Sequence, residues 1–208
     1  MHKTSDEPSV TDGVARTGTR SSFRVQVTKD YLVFASAHFI TFEGHRCEAL
    51  HGHNYRVGVV LEGGIDPASW YVFDFVALKR LMKRLCDEID HRVLLPLHNP
   101  RITITNRAGD GQATPQQQQH QQQPPQSTDG SVLLAVHVDG RLRYVFPRSD
   151  CALLPIANTT VEMLAQYLVG GVRAEIESRG AAGQSISAIE VEVEENFGQS
   201  AIYRVTYA

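Results

Sequence analysis

The chain has 208 residues, 42% of them hydrophobic, and a formal net charge of −3. This composition suits one globular domain with a substantial core, and the small charge excludes a broad surface for nucleic acid or anionic membranes. No apolar run reaches the length of a membrane span, and the first twenty residues lack the apolar core of a secretion signal. Three widely spaced cysteines without a C-x-x-C pair predict reduced thiols, so we expect a cytoplasmic protein.

The predicted elements begin after a polar segment, residues 1–21, which carries no periodicity and is interpreted as a disordered tail. From Phe23 onward the pattern is typical of strands, and it predicts two extended stretches interrupted near Lys29-Asp30. The next segment, HGHNYRVGVVLEGG, predicts a strand that ends in a Gly-Gly turn. Its alternate residues form one apolar face, and this face starts at His51 and His53.

Two amphipathic helices are predicted. The first lies within DFVALKRLMKRLCDEIDH, where Asp74 has a side chain preferred at an N-cap. The second starts within NTTVEMLA, where Thr159 followed by Glu162 forms a capping-box signature, and we expect it to pass through Gly170-Gly171 and end at Gly180. The predicted apolar stripes are Phe75, Leu78, Leu81, Met82, Leu85 and Ile89 in the first helix, and Val161, Leu164, Ala165, Leu168 and Val172 in the second.

The segment between the two helices is predicted to carry an insertion of about residues 100–149. It contains a glutamine-rich stretch, about residues 109–130, which cannot build a core and is interpreted as a loop; a metal-binding or partner-binding role is the alternative. The following sequence, LLAVHVDGRLRYVFP, predicts a hairpin that turns at Asp139-Gly140. We therefore expect a single domain over residues 22–208 with an inserted hairpin arm.

The order of the predicted elements is strand, strand, helix, inserted hairpin, helix, strand, strand. The last two strands lie around a turn near Gly198. Strands joined by short links pair in antiparallel fashion, and the helices need a sheet face against which to bury their stripes. The sequence thus predicts an α+β fold in which an antiparallel sheet carries helices on one face.

Three histidines point to a metal site. Residues i and i+2 of a strand face the same way, with Cα atoms roughly 6.5 Å apart, so His51 and His53 can converge on one ion. His38 on the adjacent predicted strand is the expected third ligand, and His45 is the reserve. Three imidazoles around Zn²⁺ leave one position open, as in catalytic zinc sites. The alternative is that these are ordinary histidines at the start of a strand.

Cys47 and Glu48 precede the metal strand and are candidates for acid–base chemistry. A thiol beside zinc or another cation has a lowered pKa and acts as a base or nucleophile. The alternative for Cys47 is a small buried hydrophobic residue, which is also our interpretation of Cys86. Glu48 is either a solvated loop carboxylate or a second base at the same site.

Two further acidic positions carry alternatives. Asp90-His91 is interpreted either as a histidine interacting with the C-terminal dipole of the first helix or as a proton relay polarised by a carboxylate. Glu195 continues the apolar face of the strand IEVEVEE, where a carboxylate needs a partner such as a ligand with paired N–H groups. The alternative for Glu195 is that the strand has ended or bulged there.

The chain resembles the family of 6-pyruvoyl-tetrahydropterin and 6-carboxy-tetrahydropterin synthases. The resemblance rests on FASAHF, CEALHGHNY, V-x-D-F-x-x-L-K, DEIDHRVL, NTTVEMLA and VEEN, in that order, and it covers about residues 23–99 and 150–207. It departs from the family in the length of the inserted arm and in the turn NFGQSAIY, which replaces a threonine-rich turn.

This resemblance implies a T-fold, with a four-stranded antiparallel sheet and two helices, assembled as a homohexamer of two trimers with sites between subunits. The implied substrate is 7,8-dihydroneopterin triphosphate, a small-molecule pterin, with no nucleic-acid or membrane partner. The implied roles are Zn²⁺ binding by His38, His51 and His53, proton abstraction by Cys47, a proton relay by Asp90 and His91, anchoring of the pterin ring by Glu195, and a place near the pterin for Thr160.

The family implies more than one product. The 6-carboxy and 6-pyruvoyl enzymes use a cysteine, and Cys47 lies four residues before His51, the spacing of the 6-carboxy type. A folate type uses a glutamate three residues before the H-G-H, where this chain has Glu48, and it releases 6-hydroxymethyl-dihydropterin. We expect a 6-carboxy or 6-pyruvoyl product, and the Glu48-dependent cleavage is the alternative. The rival hypotheses are a three-histidine zinc hydrolase or hydratase and a non-catalytic module that binds pterin and zinc.

Overall fold

The computed structural model describes residues 21–44, 46–106, 132–180 and 185–207. The tail up to Arg20, the glutamine-rich loop and His45 lie outside these residues, so the domain boundaries predicted there stay predictions. The described strands are β1 (Phe23–His38), β2 (His51–Gly63), β3 (Arg92–Pro96), β4 (Ile102–Asn106), β5 (Leu133–Val138), β6 (Arg141–Pro147), β7 (Cys151–Leu154), β8 (Ile186–Asn196) and β9 (Gln199–Thr206), and the helices are α1 (Phe75–Asp87) and α2 (Val161–Ser178).

The main sheet has six strands in the order β7-β3-β1-β2-β8-β9. Within it, β1, β2, β8 and β9 pair in antiparallel fashion and form the predicted four-stranded sheet. The predicted number of strands is too low, because β3 and β7 extend the sheet beyond β1 through parallel pairing. These strands have only five and four residues, which is too short for alternation to reveal them.

Strand β1 is one continuous element, and the predicted division into two stretches is wrong. The register between β1 and β2 shifts between Thr28 and Val33, so the chain accommodates the polar Lys29-Asp30 pair as an irregularity inside the strand. A bulge of this kind increases local twist without ending a strand. The pairing resumes at Val33 and continues to His38, which faces His51.

Helix α1 begins as predicted. The carboxylate of Asp74 accepts a hydrogen bond from the Val76 amide at 2.7 Å, which satisfies one of the free N–H groups of the first turn. The predicted stripe is buried except at Phe75, which lies at the first helical position and is exposed. Ile89 is buried beyond the end of the helix.

Helix α2 has Thr160 at its N-cap, and the predicted capping box does not form. The Thr159 hydroxyl is fully buried and donates instead to the Phe39 carbonyl at 2.8 Å. The helix continues through Gly170 and Gly171 and stops just before Gly180, whose φ of +59° closes the C-terminal turn. In the part of the chain that the structure describes, neither helix is long and apolar enough to cross a bilayer.

One hydrophobic cluster joins the inner face of the main sheet to both helices. Alternate residues of β2, such as Val57, Val59 and Leu61, supply its centre. The two helices approach closely, because a Cβ atom on Gly171 would lie 2.6 Å from Leu85 Cδ2. Glycine at this position therefore sets the contact between the two helices and keeps both on one face of the sheet.

The region predicted as a hairpin arm is a second sheet of three antiparallel strands in the order β4-β5-β6. The β5–β6 turn lies at Asp139-Gly140 as predicted, and both residues have positive φ, 50° and 76°, as a tight hairpin turn requires. The arm is defined here as these three strands with the preceding Arg101. A separate hydrophobic cluster fixes it to Phe39 at the end of β1 and to Leu95 of β3.

Candidate active site

The three predicted metal ligands lie together at the junction of β1 and β2. The strand register places His38 directly opposite His51, and His53 follows on the same face of β2. The Nε2 atoms of His38 and His51 are 3.1 Å apart, and one nitrogen from each of the three rings lies within 4.8 Å of the others. Among the described residues this is the one group of His, Cys, Asp and Glu close enough to hold a metal ion.

Backbone carbonyls set the orientation of two of these rings. Nδ1 of His38 donates to the Thr159 carbonyl at 2.8 Å, and Nδ1 of His51 donates to the Ala49 carbonyl at 2.9 Å. Because a carbonyl only accepts, each Nδ1 carries the proton and the Nε2 of each neutral ring carries a lone pair. Burial lowers the pKa of His38, which favours this neutral form despite the opposing effect of the Thr159 contact.

The residues fit a zinc ion. Two nitrogen ligands about 2.0–2.1 Å from a tetrahedral ion lie roughly 3.3 Å apart, close to the separation of the two Nε2 atoms. Without an ion, two lone pairs would face each other there. His53 Nε2 is buried and makes no hydrogen bond to the described residues, so it too has an unused ligand atom. Hydrogen bonds from the second ring nitrogen to carbonyls are the usual support of metal-bound imidazoles.

Glu195 reaches this cluster from β8. Its Oε1 atom is 3.4 Å from His38 Nε2 and 3.5 Å from His53 Nε2, and it accepts a hydrogen bond from the Tyr55 hydroxyl at 3.3 Å. The β8–β9 register shifts between Glu194 and Asn196, so the strand does bulge here, as one of the two interpretations expected. The Glu195 carboxylate nevertheless lies on the face of β8 that carries Val191 and Val193, as the alternation predicted, because it contacts Tyr55 and the histidines of the neighbouring β2 face.

Glu48 faces the same cluster from the loop before β2. Its Oε2 atom is 3.8 Å from His51 Nε2, is buried, and accepts no hydrogen bond from the described residues. A buried carboxylate oxygen without a hydrogen-bond donor is costly unless a ligand or ion completes its surroundings. The Glu48 side chain is 35% exposed as a whole, so it lies at the edge of the cluster, and both interpretations of it stay predictions.

Cys47 packs in the opposite direction. Its side chain contacts the hydrophobic cluster of the arm, and its thiol is 3.5 Å from the carbonyl of Glu48. Burial raises the pKa of the thiol, although Arg143 and Arg101 act to lower it. The lowered pKa expected for a thiol beside zinc stays a prediction. Cys86 is buried in the main core as predicted, and burial raises its pKa to about 12.

Asp90 and His91 form a pair beyond the end of α1. The Ala35 amide donates to Asp90 Oδ1 at 2.7 Å, and His91 Nδ1 is 3.0 Å from Asp90 Oδ2. Burial acts to raise the pKa of Asp90, but these two contacts outweigh it and the pKa lies below its ordinary value. α1 ends at Asp87, and the Asp90 amide still donates to the Cys86 carbonyl at 2.9 Å, so the two interpretations of His91 stay predictions.

An open cavity of about 810 Å³ connects several of these residues. His91 is 82% exposed and projects into it, held by a backbone with φ of +54°. Thr160 lies apart from it, at the N-cap of α2 next to the carbonyl that holds His38. The cavity is lined by side chains that include His53, Asn54, Arg56, His91, Arg92 and Glu195.

Two residues of the site were not predicted from the sequence. Thr159 fixes both His38 and the end of β1, and its place in the capping-box signature hid this role. Tyr55 is fully buried and holds Glu195, and burial together with Glu195 raises the pKa of its hydroxyl. Its position on the face of β2 that carries His51 and His53 was the available signal.

Comparison with known proteins agrees with this geometry. The family model described as 6-pyruvoyl tetrahydropterin synthase matches residues 26–206. The chain is 31% identical over 173 residues to a putative 6-carboxy-5,6,7,8-tetrahydropterin synthase of Methanocaldococcus jannaschii, which covers 83% of this chain and 90% of the relative.

Solved structures of malaria-parasite proteins are similar over nearly the whole domain. The 6-pyruvoyl tetrahydropterin synthase of Plasmodium falciparum superposes with a TM-score of 0.72 at 28% identity, over 90% of this chain and 100% of that one. A Plasmodium vivax 6-pyruvoyltetrahydropterin synthase in which a catalytic glutamate is replaced by alanine gives 0.69 at 26% identity, with the same coverage. The chain therefore belongs to the 6-pyruvoyl tetrahydropterin synthase family, an enzyme family that acts on pterins.

Proposed function

We propose that this protein is a zinc-dependent lyase that cleaves the side chain of 7,8-dihydroneopterin triphosphate, with Glu48 as the base and 6-hydroxymethyl-dihydropterin as the product. The observation that carries the proposal is the direction of two neighbouring side chains. The Glu48 carboxylate lies beside His51, whereas the Cys47 thiol packs into the arm. The replaced glutamate of the Plasmodium vivax protein, described there as a catalytic residue, supports a glutamate-dependent chemistry.

His38, His51 and His53 would hold a zinc ion, which when bound would supply a Lewis acid for the side-chain hydroxyls of the substrate. Glu195 anchors the pterin ring, because a carboxylate accepts two hydrogen bonds from paired N–H groups. Tyr55 holds this carboxylate in place. The ring then lies beside the metal ligands, in reach of the cavity that His53 and Glu195 line.

Glu48 performs the proton abstraction. It removes the proton from the hydroxyl on the second side-chain carbon, the bond between the first two carbons breaks, and the electron pair passes into the C=N bond of the ring. The first carbon then takes up a proton, and a two-carbon aldehyde carrying the triphosphate leaves. His91, oriented by Asp90 and projecting into the cavity, returns the proton.

A 6-carboxy or 6-pyruvoyl product with Cys47 as the base is the second candidate. It is favoured by the identity to the Methanocaldococcus jannaschii relative, a putative 6-carboxy-tetrahydropterin synthase. It requires the 47–48 segment to rotate, so that the thiol leaves the arm cluster and approaches the histidines.

The test is incubation of zinc-loaded protein with 7,8-dihydroneopterin triphosphate and, separately, with dihydroneopterin, followed by mass analysis of the products. Wild type, Glu48→Gln and Cys47→Ala run side by side. We expect 6-hydroxymethyl-dihydropterin from wild type and Cys47→Ala, and its loss in Glu48→Gln. A 6-carboxy or 6-pyruvoyl product lost with Cys47 would establish the second candidate. Zinc and pterin binding without turnover would leave the non-catalytic module.

The assembly proposed with this function is a cytoplasmic homohexamer of two trimers. Large apolar side chains on the surface, such as Trp70, Phe75 and Phe197, support burial against other subunits. Light scattering coupled to gel filtration gives the mass of the particle directly. A monomer of 23.1 kDa would contradict the proposal.

A further inference from the structure

The loop that carries Cys47 and Glu48 is built like a short ladder. Thr41 and Cys47 form a β-bridge, the Glu48 amide donates to the Ile40 carbonyl at 2.9 Å, and the Phe42 amide donates to the Arg46 carbonyl at 3.0 Å. Successive residues of an extended chain point to opposite sides. When one of Cys47 and Glu48 faces the histidines, the other therefore faces away from them.

The arm contacts this ladder through side chains that bind its backbone. Arg143 of β6 donates through Nη2 to the carbonyl of Glu48 at 3.0 Å and to that of Cys47 at 3.4 Å. The neighbouring Tyr144 hydroxyl accepts from the Leu50 amide at 3.1 Å and from Arg143 Nε at 3.2 Å. These hydrogen bonds fix the carbonyls of Cys47 and Glu48 and the amide of Leu50. The same groups would have to turn if the 47–50 segment rotated.

A second contact holds the other end of the loop. Arg101 donates through Nη1 to the carbonyls of Phe42, at 2.7 Å, and Arg46, at 3.1 Å. Its Nε and Nη2 atoms bind the two carboxylate oxygens of Asp139 at 2.9 and 2.7 Å. Since Asp139 lies in the β5–β6 turn, the hairpin tip orients the arginine that holds the loop.

Apolar packing completes the contact. The rings of Phe39 and Tyr144 have centroids 5.2 Å apart, and Cys47 and Leu50 pack on the same cluster. The arm thus offers Cys47 an apolar site while its arginines hold the backbone.

We propose that the arm is a positioning device that selects the base, because Arg143 and Tyr144 hold the 47–50 segment with Glu48 towards the histidines and Cys47 towards the arm. Arg143 and Tyr144 are positioning residues, since they act through the loop backbone. The effect on products rests on the function proposed above, whereas the effect on the conformation of the loop does not.

The experiment measures the rate at which Cys47 reacts with a maleimide in Arg143→Met, Tyr144→Phe and the double variant. Tyr144→Phe keeps the aromatic packing and removes only the hydroxyl. Arg141→Met is the matched control, because Arg141 is exposed on the same strand and makes none of the described hydrogen bonds to the loop. Cys47→Ala shows how much of the maleimide reaction comes from Cys86 and Cys151, which are buried.

We expect the Cys47 rate to rise roughly tenfold in the double variant, the scale of losing one or two hydrogen bonds, with Arg141→Met unchanged. Bound zinc stays at the wild-type level, because its ligands lie on β1 and β2. With 7,8-dihydroneopterin triphosphate, the share of the Glu48-dependent product falls and that of a Cys47-dependent product rises.

An unchanged thiol rate in both Tyr144→Phe, which leaves the charge beside the thiol intact, and the double variant overturns the proposal, whatever products form. A raised thiol rate with an unchanged product ratio overturns the selection of the base. If wild type turns over no substrate, the function proposed above fails, and the thiol rates still decide whether the arm holds the loop.

Discussion

The histidine cluster and the loop that carries Glu48 are neighbours held by different kinds of contact. His38, His51 and His53 lie on paired strands, and the register of a continuous ladder brings them together. The loop has one β-bridge of its own and depends on side chains of residues far away in the chain, such as Arg143. Backbone pairing makes the histidine cluster robust, whereas the position of Glu48, the proposed base, depends on a few replaceable side chains.

The largest expected effect tests the cluster. His51→Ala removes a ligand from an otherwise intact strand, so zinc content and turnover should both fall below detection. Metal analysis of the purified protein checks this, with His98→Ala as the control because His98 is exposed and distant in sequence from the ligands. Full zinc occupancy in His51→Ala would show that this histidine is not a ligand.

The next effect tests the loop. Glu48→Gln keeps the size of the side chain and removes the base, so kcat should fall by about 10²–10⁴ while zinc stays bound. Steady-state kinetics on zinc-loaded protein give the value, and Glu43→Gln, an exposed change on the same loop, should match wild type. Equal activity in Glu48→Gln and wild type would contradict Glu48 as the base and favour Cys47 instead.

A smaller effect concerns the support of the loop from the core. The buried Asn99 donates to the Thr41 hydroxyl at 2.9 Å and to the Ala157 carbonyl at 2.7 Å, and it accepts from the Arg101 amide at 3.0 Å. Asn99→Ala leaves these partners unpaired and should lower the free energy of unfolding by about 1–3 kcal/mol. Denaturant unfolding measures the change.

The control for Asn99→Ala is Asn106→Ala, which removes an exposed asparagine at the end of β4. It should change the free energy of unfolding by less than about 0.5 kcal/mol. Equal destabilisation by the two substitutions would mean that the buried contacts of Asn99 add nothing to the support of the loop.

The smallest expected effect concerns Tyr55, which lies on β2 with the histidines. Tyr55→Phe removes the hydroxyl that donates to Glu195, and the loss of about 1 kcal/mol should weaken pterin binding roughly fivefold with little change in zinc content. Fluorescence titration with a pterin measures it, and Tyr31→Phe, an exposed change on β1, is the control. An unchanged Kd would remove Tyr55 from the positioning of Glu195.

The same contrast explains what the sequence could predict. The histidine cluster could be predicted because alternation in β2 and the adjacency of β1 are local patterns. Asp74 and the Asp139-Gly140 turn likewise follow from local backbone chemistry. Arg143 and Glu48 are separated by 95 residues in the chain, so no local sequence pattern could predict the contact between Arg143 and the loop. β3 and β7 escaped prediction for a related reason, since their pairing is parallel and distant.

Local patterns also misled where one residue served two purposes. Thr159 has the signature of a helix cap, yet its carbonyl binds His38 of β1 and its hydroxyl binds Phe39, the residue directly after β1. A tertiary contact of Thr159 therefore overrode the pattern that the neighbouring residues set. Glu195, by contrast, lies on the face that alternation predicts, although the β8–β9 register shifts beside it.

The carbonyls of Ala49 and Thr159 that orient His51 and His38 belong to the main chain, so substitutions at these two positions leave the hydrogen-bond acceptors in place. The candidate metal centre can therefore persist while the surrounding side chains diverge. Under the proposed role of the arm, positions 47 and 48 can exchange the role of base through changes in the arm alone. A lineage with this architecture would then acquire a new product by altering the support of a loop, with the histidine cluster unchanged.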